Sequence, residues 1–283
     1  MTSEAPGVRL ESGVAEAGEA EDSEATRTEL RMLHLPSEMV AATELVASVW
    51  QVDVNQSHVN PGLLTALAHA GNYVAGGFRG KELMAVCVGF FYPPQEHTLH
   101  SHIAGVRPDA AGTGWGNALK LHQRDWCLER GVTRVTWTYD PLIARNAYFN
   151  VHKLGCTIEA YLPDFYGLMG DGLNLGQPSD RVLAVWDLER PGPRPPAVPG
   201  AQPPAAVLWS ESGRPVLDRR RADGLRACRV EVPNDIEQVR RADPELAAAW
   251  REALREALGT LLADGWTVTD FDRRGHYNLT RST

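Results

Sequence analysis

Lysine is nearly missing: only Lys81, Lys120 and Lys153 occur among 283 residues, so arginine supplies almost all the positive charge. This bias reads as the imprint of a GC-rich bacterial genome and not as a functional device. Cysteine is scarce as well. Cys87, Cys127, Cys156 and Cys228 are scattered with no CxxC pair, which removes the usual zinc and dithiol spacings and predicts four free buried thiols. No hydrophobic run approaches the ~18 residues of a membrane span, and the acidic N-terminus lacks a signal-peptide pattern; a cytoplasmic protein with no membrane partner is expected. Nor is there a basic excess. The net charge is −8, and residues 1–30 hold eight acidic groups against Arg9 and Arg27, so the rest is close to neutral and offers no footprint for nucleic acid. The arginines at 219–221 are interrupted by Asp218 and Asp223 and lack interleaved aromatics, as in a solvated loop.

What is present is an ordinary globular composition, 43% hydrophobic and 23% charged, long enough to bury a substantial core. Residues 1–30 are expected to form a disordered acidic tail. Met39, Val40, Leu45, Val46, Val49 and Trp50 predict a helix capped by Ser37, and Asn60-Pro61 opens a second. Strand patterns follow at Tyr73–Phe78, Met84–Phe91 and Thr98–Val106, then a helix ending near Gly131, a strand over Val132–Tyr139 and a helix over Ala144–Lys153. Strands near Ile158 and at Val182–Leu188 complete a block spanning residues 31–190. Residues 191–206 carry seven prolines and read as a linker. In residues 207–283, a strand at Ala227–Val232, an amphipathic helix opened by Asp243-Pro244 and a hairpin from Trp266 form a strand-helix-strand-strand module. Such a module is marginal alone and is expected to pack on the first block or to extend its sheet. The order is α+β.

The most telling stretch runs from Val106 to Leu119. Gly112, Gly114 and Gly116 alternate between a strand and a helix, leaving backbone amides uncovered at the positive end of the helix dipole, where a phosphate or pyrophosphate fits. No Lys-Ser or Lys-Thr follows the last glycine, which excludes a P-loop. A dinucleotide fold is disfavoured because the preceding strand carries polar His100, Ser101 and His102.

With Val106, Pro108 and Leu119 in place, this segment resembles the acetyl-CoA loop of the GNAT acyltransferase superfamily. Arg145-Asn146-Ala147-Tyr148-Phe149 and Lys153-Leu154-Gly155-Cys156 resemble that family's later helix and the corner after it. His100-Ser101-His102, Asp140-Pro141-Leu142, Phe165-Tyr166-Gly167 and Ser179-Asp180-Arg181 resemble one bacterial subgroup. The departures are Ala111, where an Arg or Gln side chain is usual, and Val151, where the family often places a tyrosine acid.

The resemblance implies a GNAT fold and an acyl-CoA-dependent N-acyltransferase with acetyl-CoA as co-substrate and no metal. The loop Gly112, Thr113, Gly114, Trp115, Gly116 and Asn117 would hold the pyrophosphate. The strand residues Ile103, Ala104 and Val106 would pair with the pantetheine arm, whose amides are spaced like those of a strand, and Asn146 and Phe149 would add contacts from the later helix.

The chemistry asks for a base, and His100 or His102, two apart on one strand, can accept an amine proton near neutral pH. For the acid, Tyr148 and Tyr166 remain, with Tyr166 the retained candidate and Asn146 a cofactor contact instead; departure of the thiolate without a proton is the alternative. His97, His100 and His102 lack a further ligand at motif spacing, which argues against a metal. Asp180-Arg181 reads as an exposed turn with a weak ion pair. The acceptor implied is an amine of a small molecule or peptide, and a homodimer stays open. A degenerate fold that only senses acyl-CoA is the competing reading, and a DNA regulator using the C-terminal arginines a third.

Overall fold

A computed structural model of the chain describes residues 28–172, 176–190, 192 and 204–281. Two sheets organise it. The first has seven strands in the order β1-β2-β3-β4-β5-β7-β6, formed by β1 Thr28–Met32, β2 Tyr73–Arg79, β3 Glu82–Phe91, β4 Thr98–Val106, β5 Arg134–Tyr139, β6 Thr157–Leu162 and β7 Arg181–Asp187. Every neighbouring pair is antiparallel except β4–β5. The helices around this sheet are α1 Pro36–Trp50, α2 Pro61–His69, α3 Trp115–Leu128 and α4, which runs Ala144–Ala147 and continues as a π-turn through Tyr148–Lys153. A largely antiparallel sheet flanked by helices is the arrangement that the resemblance implied.

Local chemistry explains most boundaries. The Asn60 side chain accepts from Leu63 N–H at 2.9 Å and Pro61 starts α2, as expected. The start of α1 differs: Ser37 is not its cap, because Glu38 reaches back to accept from the N–H groups of His34 and Leu35. β2 is buried from Tyr73 to Phe78 and β3 from Met84 to Gly89, with apolar residues on both faces. Val74, Val86, Val88 and Ile103 pack with Met39, Val46 and Leu64 of α1 and α2, whereas Tyr73, Cys87 and Leu99 join α3 and α4 in a second cluster. Gly77 must be glycine because a Cβ there would come within 2.7 Å of the Trp115 ring.

Three expectations are corrected. β1 extends into the tail expected to be disordered up to residue 30, and residues 1–27 lie outside the described residues. The C-terminal module gains two strands, β8 Ala205–Glu211 and β9 Arg214–Leu217, ahead of β10 Ala227–Glu231. With β11 Thr267–Phe271 and β12 His276–Thr280 they form a five-stranded sheet in the order β11-β12-β10-β8-β9. The expected helix is preceded by a short α5, Ile236–Ala242. The longer α6 runs Pro244–Leu254, then a π-turn Arg255–Gly259 and Thr260–Ala263. Of the expected linker, only Gly192 and residues 204–206 are described.

The two sheets share one core. Trp137, Tyr139 and Ile158 of the first belong to the same apolar cluster as Trp250, Leu258, Phe271 and Tyr277 of the second. The four cysteines are free and buried, as their apolar settings implied.

Candidate functional site

The parallel pair β4–β5 holds together for only three positions, Thr98↔Arg134, Leu99↔Val135 and His100↔Thr136. Beyond His100 and Thr136 the strands part. β4 also carries a bulge: Ile103 pairs with Val88 and Ser101 with Gly89, leaving His102 without a partner on β3. A cavity of about 480 Å³ fills the split, with Ser101–Ala104 and Val106 on one wall and Trp137–Asp140 on the other. Over this stretch β4 has no ladder on its β5 side, so its peptide groups there are available to an extended ligand.

The glycine loop lies at the end of β4. Gly112 and Gly114 have φ of 78° and 100°, a conformation that L side chains rarely adopt, and a Cβ at either would meet nothing within 4 Å. Gly114 is the N-cap of α3 and offers no side chain to its amides. The first helical bond there runs from Ala118 N–H to Gly114, so the N–H groups of Trp115, Gly116 and Asn117 are the orphan donors of the helix start. Gly116 lines the cavity, and a Cβ on it would only graze Val106 at 4.0 Å. Nothing within the fold requires glycine at 116. Thr113 turns its hydroxyl inward to the Ala110 carbonyl at 2.7 Å, and the Trp115 ring is buried in the core, so both face the loop through backbone alone.

The expected catalytic residues separate. His102, Tyr166, Asn146 and Phe149 line the cavity, as do Ile103, Ala104 and Val106. His100 is not among the lining residues. Its Nδ1 lies 3.3 Å from the Thr136 hydroxyl and its ring packs against Phe90. Burial pushes the His100 pKa down to about 4, and burial with the nearby His58 also lowers that of His102, so both imidazoles are neutral bases at pH 7. Tyr166 shares a hydrogen bond with Thr138 at 2.9 Å. Tyr148 lies elsewhere, stacked on His152 and accepting from Arg273. Val151 is fully buried, and its neighbour Asn150 faces the cavity from the π-turn of α4.

Several lining residues went unrecognised in the sequence. Lys120 of α3 is buried, donates to Ser101 Oγ at 2.8 Å and Gln123 Oε1 at 3.1 Å, and sits 3.8 Å from the centre of the Trp137 ring. Burial lowers its pKa. The signal for it was a lone lysine four residues after Gly116 and three before Gln123, on the inward stripe of the helix. Asp180-Arg181 is not an exposed turn: Asp180 is 0% and Arg181 7% exposed. Asp180 accepts from Arg255 of α6 and from Tyr161, while Arg181 stacks over Tyr166 and lines the cavity. The C-terminal module reaches the site as well. Arg240 of α5 lines the cavity and donates to Asp140 at 2.5 Å, and Arg251 of α6 grips the same carboxylate twice at 2.7 Å. Burial alone would raise the Asp140 pKa, but the two guanidinium groups outweigh it and hold the carboxyl well below the usual range.

A wider depression of about 1220 Å³ across Leu217–Arg226 and α6 shares no residue with the loop or the split. Among the described residues no group of three or more His, Cys, Asp or Glu side chains is placed to hold a metal, and no helix is long and apolar enough to cross a membrane.

No family model matches the sequence, and no curated protein matches it. Solved structures are similar in fold. An acetyltransferase of the GNAT family from Streptococcus pneumoniae is 11% identical, with 56% of this chain and 98% of that one covered and a TM-score of 0.47. The ribosomal-protein-S5-alanine acetyltransferase of Vibrio fischeri is 13% identical, with 59% and 96% covered and a TM-score of 0.45. A candidate acetyltransferase of Salmonella typhimurium, solved with acetyl-CoA, is 17% identical, with 59% and 98% covered and a TM-score of 0.45.

Proposed function

We propose that this protein is an acyl-CoA-dependent N-acyltransferase that uses acetyl-CoA to acylate a primary amine of a small molecule or peptide. One observation carries the reading: an uncapped glycine loop opens directly onto the split between two parallel strands. The amides of Gly112, Gly114 and Trp115 to Asn117 supply donors for a pyrophosphate, and the unpaired edge of β4 supplies peptide groups for the pantetheine arm. On this reading the thioester lies in the split, between the His102 bulge and Trp137.

The residues around the split fit direct transfer. His102, neutral and facing the cavity, takes the proton that the amine must lose, directly or through water. The strand amides near the bulge polarise the carbonyl as charge builds on its oxygen. The amine enters from the end lined by Trp50, His58, Tyr166, Met169 and Arg181.

Thiol release measured against a panel of amines tests the reading. Free coenzyme A should appear only when both acetyl-CoA and an amine are present. Saturable acetyl-CoA binding with no turnover on any amine, and no effect of His102→Ala, would instead favour an acyl-CoA sensor, the reading that Ala111 and Val151 motivate.

A further inference from the structure

Lys120 stands at the vertex of the split. His100↔Thr136 is the last pair joining β4 to β5, and the next residue on each strand, Ser101 and Trp137, touches Lys120 Nζ. Its stem rises from the second turn of α3, the helix whose start forms the glycine loop, and the side chain lines the cavity while being 5% exposed. Neither partner oxygen is a carboxylate: Ser101 offers a hydroxyl and Gln123 an amide. The ionisable groups coupled to it are three thiols, Cys87 on β3, Cys127 on α3 and Cys156 after α4, and the imidazole of His100 on β4; burial raises the pKa of Cys87 and Cys127 and lowers that of His100, which keeps all three neutral. An ammonium here gains most from an anion formed in the split.

We propose that Lys120 is the proton donor to the departing thiolate. The inference rests on the acyl-CoA reading above and fills the role left vacant at Val151, whose side chain is buried in the core. The amine nitrogen bonds to the acyl carbon and the C–S bond breaks, leaving its electron pair on sulfur. The Lys120 ammonium passes one proton to that sulfur and regains one from solvent. The proton lost by the amine leaves through His102. The products are the N-acyl amine and coenzyme A as its thiol. A lysine whose pKa is lowered by burial gives up its proton more readily than an exposed one, which suits it to this task.

Two measurements test it. Lys120→Met and Lys120→Arg should each lower kcat roughly tenfold to a hundredfold, with KM for acetyl-CoA within about twofold of the parent. The fall of kcat as pH rises and Lys120 loses its proton should vanish in Lys120→Met. An unchanged kcat, or a lower kcat with the parent's pH profile in both variants, would overturn the proposal in favour of a packing role. The second measurement needs no variant: the thiol of coenzyme A bound to the parent protein, followed by thiolate absorbance, should titrate below that of free coenzyme A. A bound thiol that titrates at or above the free value overturns it. If the parent protein neither binds acetyl-CoA nor acylates any amine, the function proposed above fails, and that result is distinct from acylation that persists without Lys120.

Discussion

At the scale of single residues, the two histidines of β4 carry different consequences. His102 faces the cavity, and its lowered pKa leaves the base form dominant down to a pH below the usual imidazole value of about 6.5. His102→Ala should reduce kcat roughly a hundredfold at pH 7, and the acid limb of kcat/KM in the parent should lie below pH ~6.5. An acid limb at or above that value would point to another base. His100, held between Phe90 and Thr136, affects stability instead. Its folded pKa of about 4 lies below the unfolded value near 6.5, so the unfolded chain binds more protons between them. Stability should therefore fall as pH drops through that window, by about 1–2 kcal/mol after solvent screening. Thermal melts between pH 7 and 4 should show a shallower decline for His100→Phe than for the parent.

At the scale of elements, the glycine loop and the strand before it were the most legible parts of the chain. Thr98–Val106 forms β4 with the bounds read from its pattern, because strand alternation, Pro108 and the glycines all mark the same boundary. The bulge at His102 was not legible, since one extra residue in a ladder leaves no trace in the alternation of a half-polar strand. β8 and β9 were missed because they lie beside the proline-dense segment, and β9 carries Pro215 itself, which an edge strand tolerates and a central one does not. The loop yields a prediction that separates binding from folding. Gly116 has ordinary helical geometry and almost empty surroundings, so Gly116→Val should leave the melting temperature nearly unchanged. It should weaken coenzyme A binding at least roughly tenfold by holding the pyrophosphate off the amides. Calorimetric titration alongside a thermal melt checks both; a large loss of stability would show that glycine serves the fold.

At the scale of the whole molecule, the C-terminal sheet is tied to the first through buried charge. Asp140 lies at the end of β5, between Arg240 and Arg251, and Tyr277 donates to the Pro141 carbonyl at 2.8 Å beside it. These partners lie 100 or more positions apart in the chain, so no local pattern could reveal them. Asp180, read from the sequence as part of an exposed turn, likewise finds its partner Arg255 75 positions away. Asp140→Asn removes the carboxylate while leaving two guanidinium groups buried. It should cost about 3–5 kcal/mol and lower the melting temperature by roughly 10 °C. A shift of only a degree or two would mean that the arginines find other compensation. Arg240 lines the cavity as well, so the same variant should alter KM for the amine before it alters KM for acetyl-CoA.

The central claim is that coenzyme A lies along the glycine loop and into the split sheet. A crystal structure with bound coenzyme A tests it most directly. The pyrophosphate should rest on the amides of Gly112, Gly114 and Trp115 to Asn117, and the pantetheine arm should run between β4 and β5 with its sulfur near Lys120 and His102. Coenzyme A bound elsewhere on the molecule, or an empty split at saturating ligand, would contradict the account.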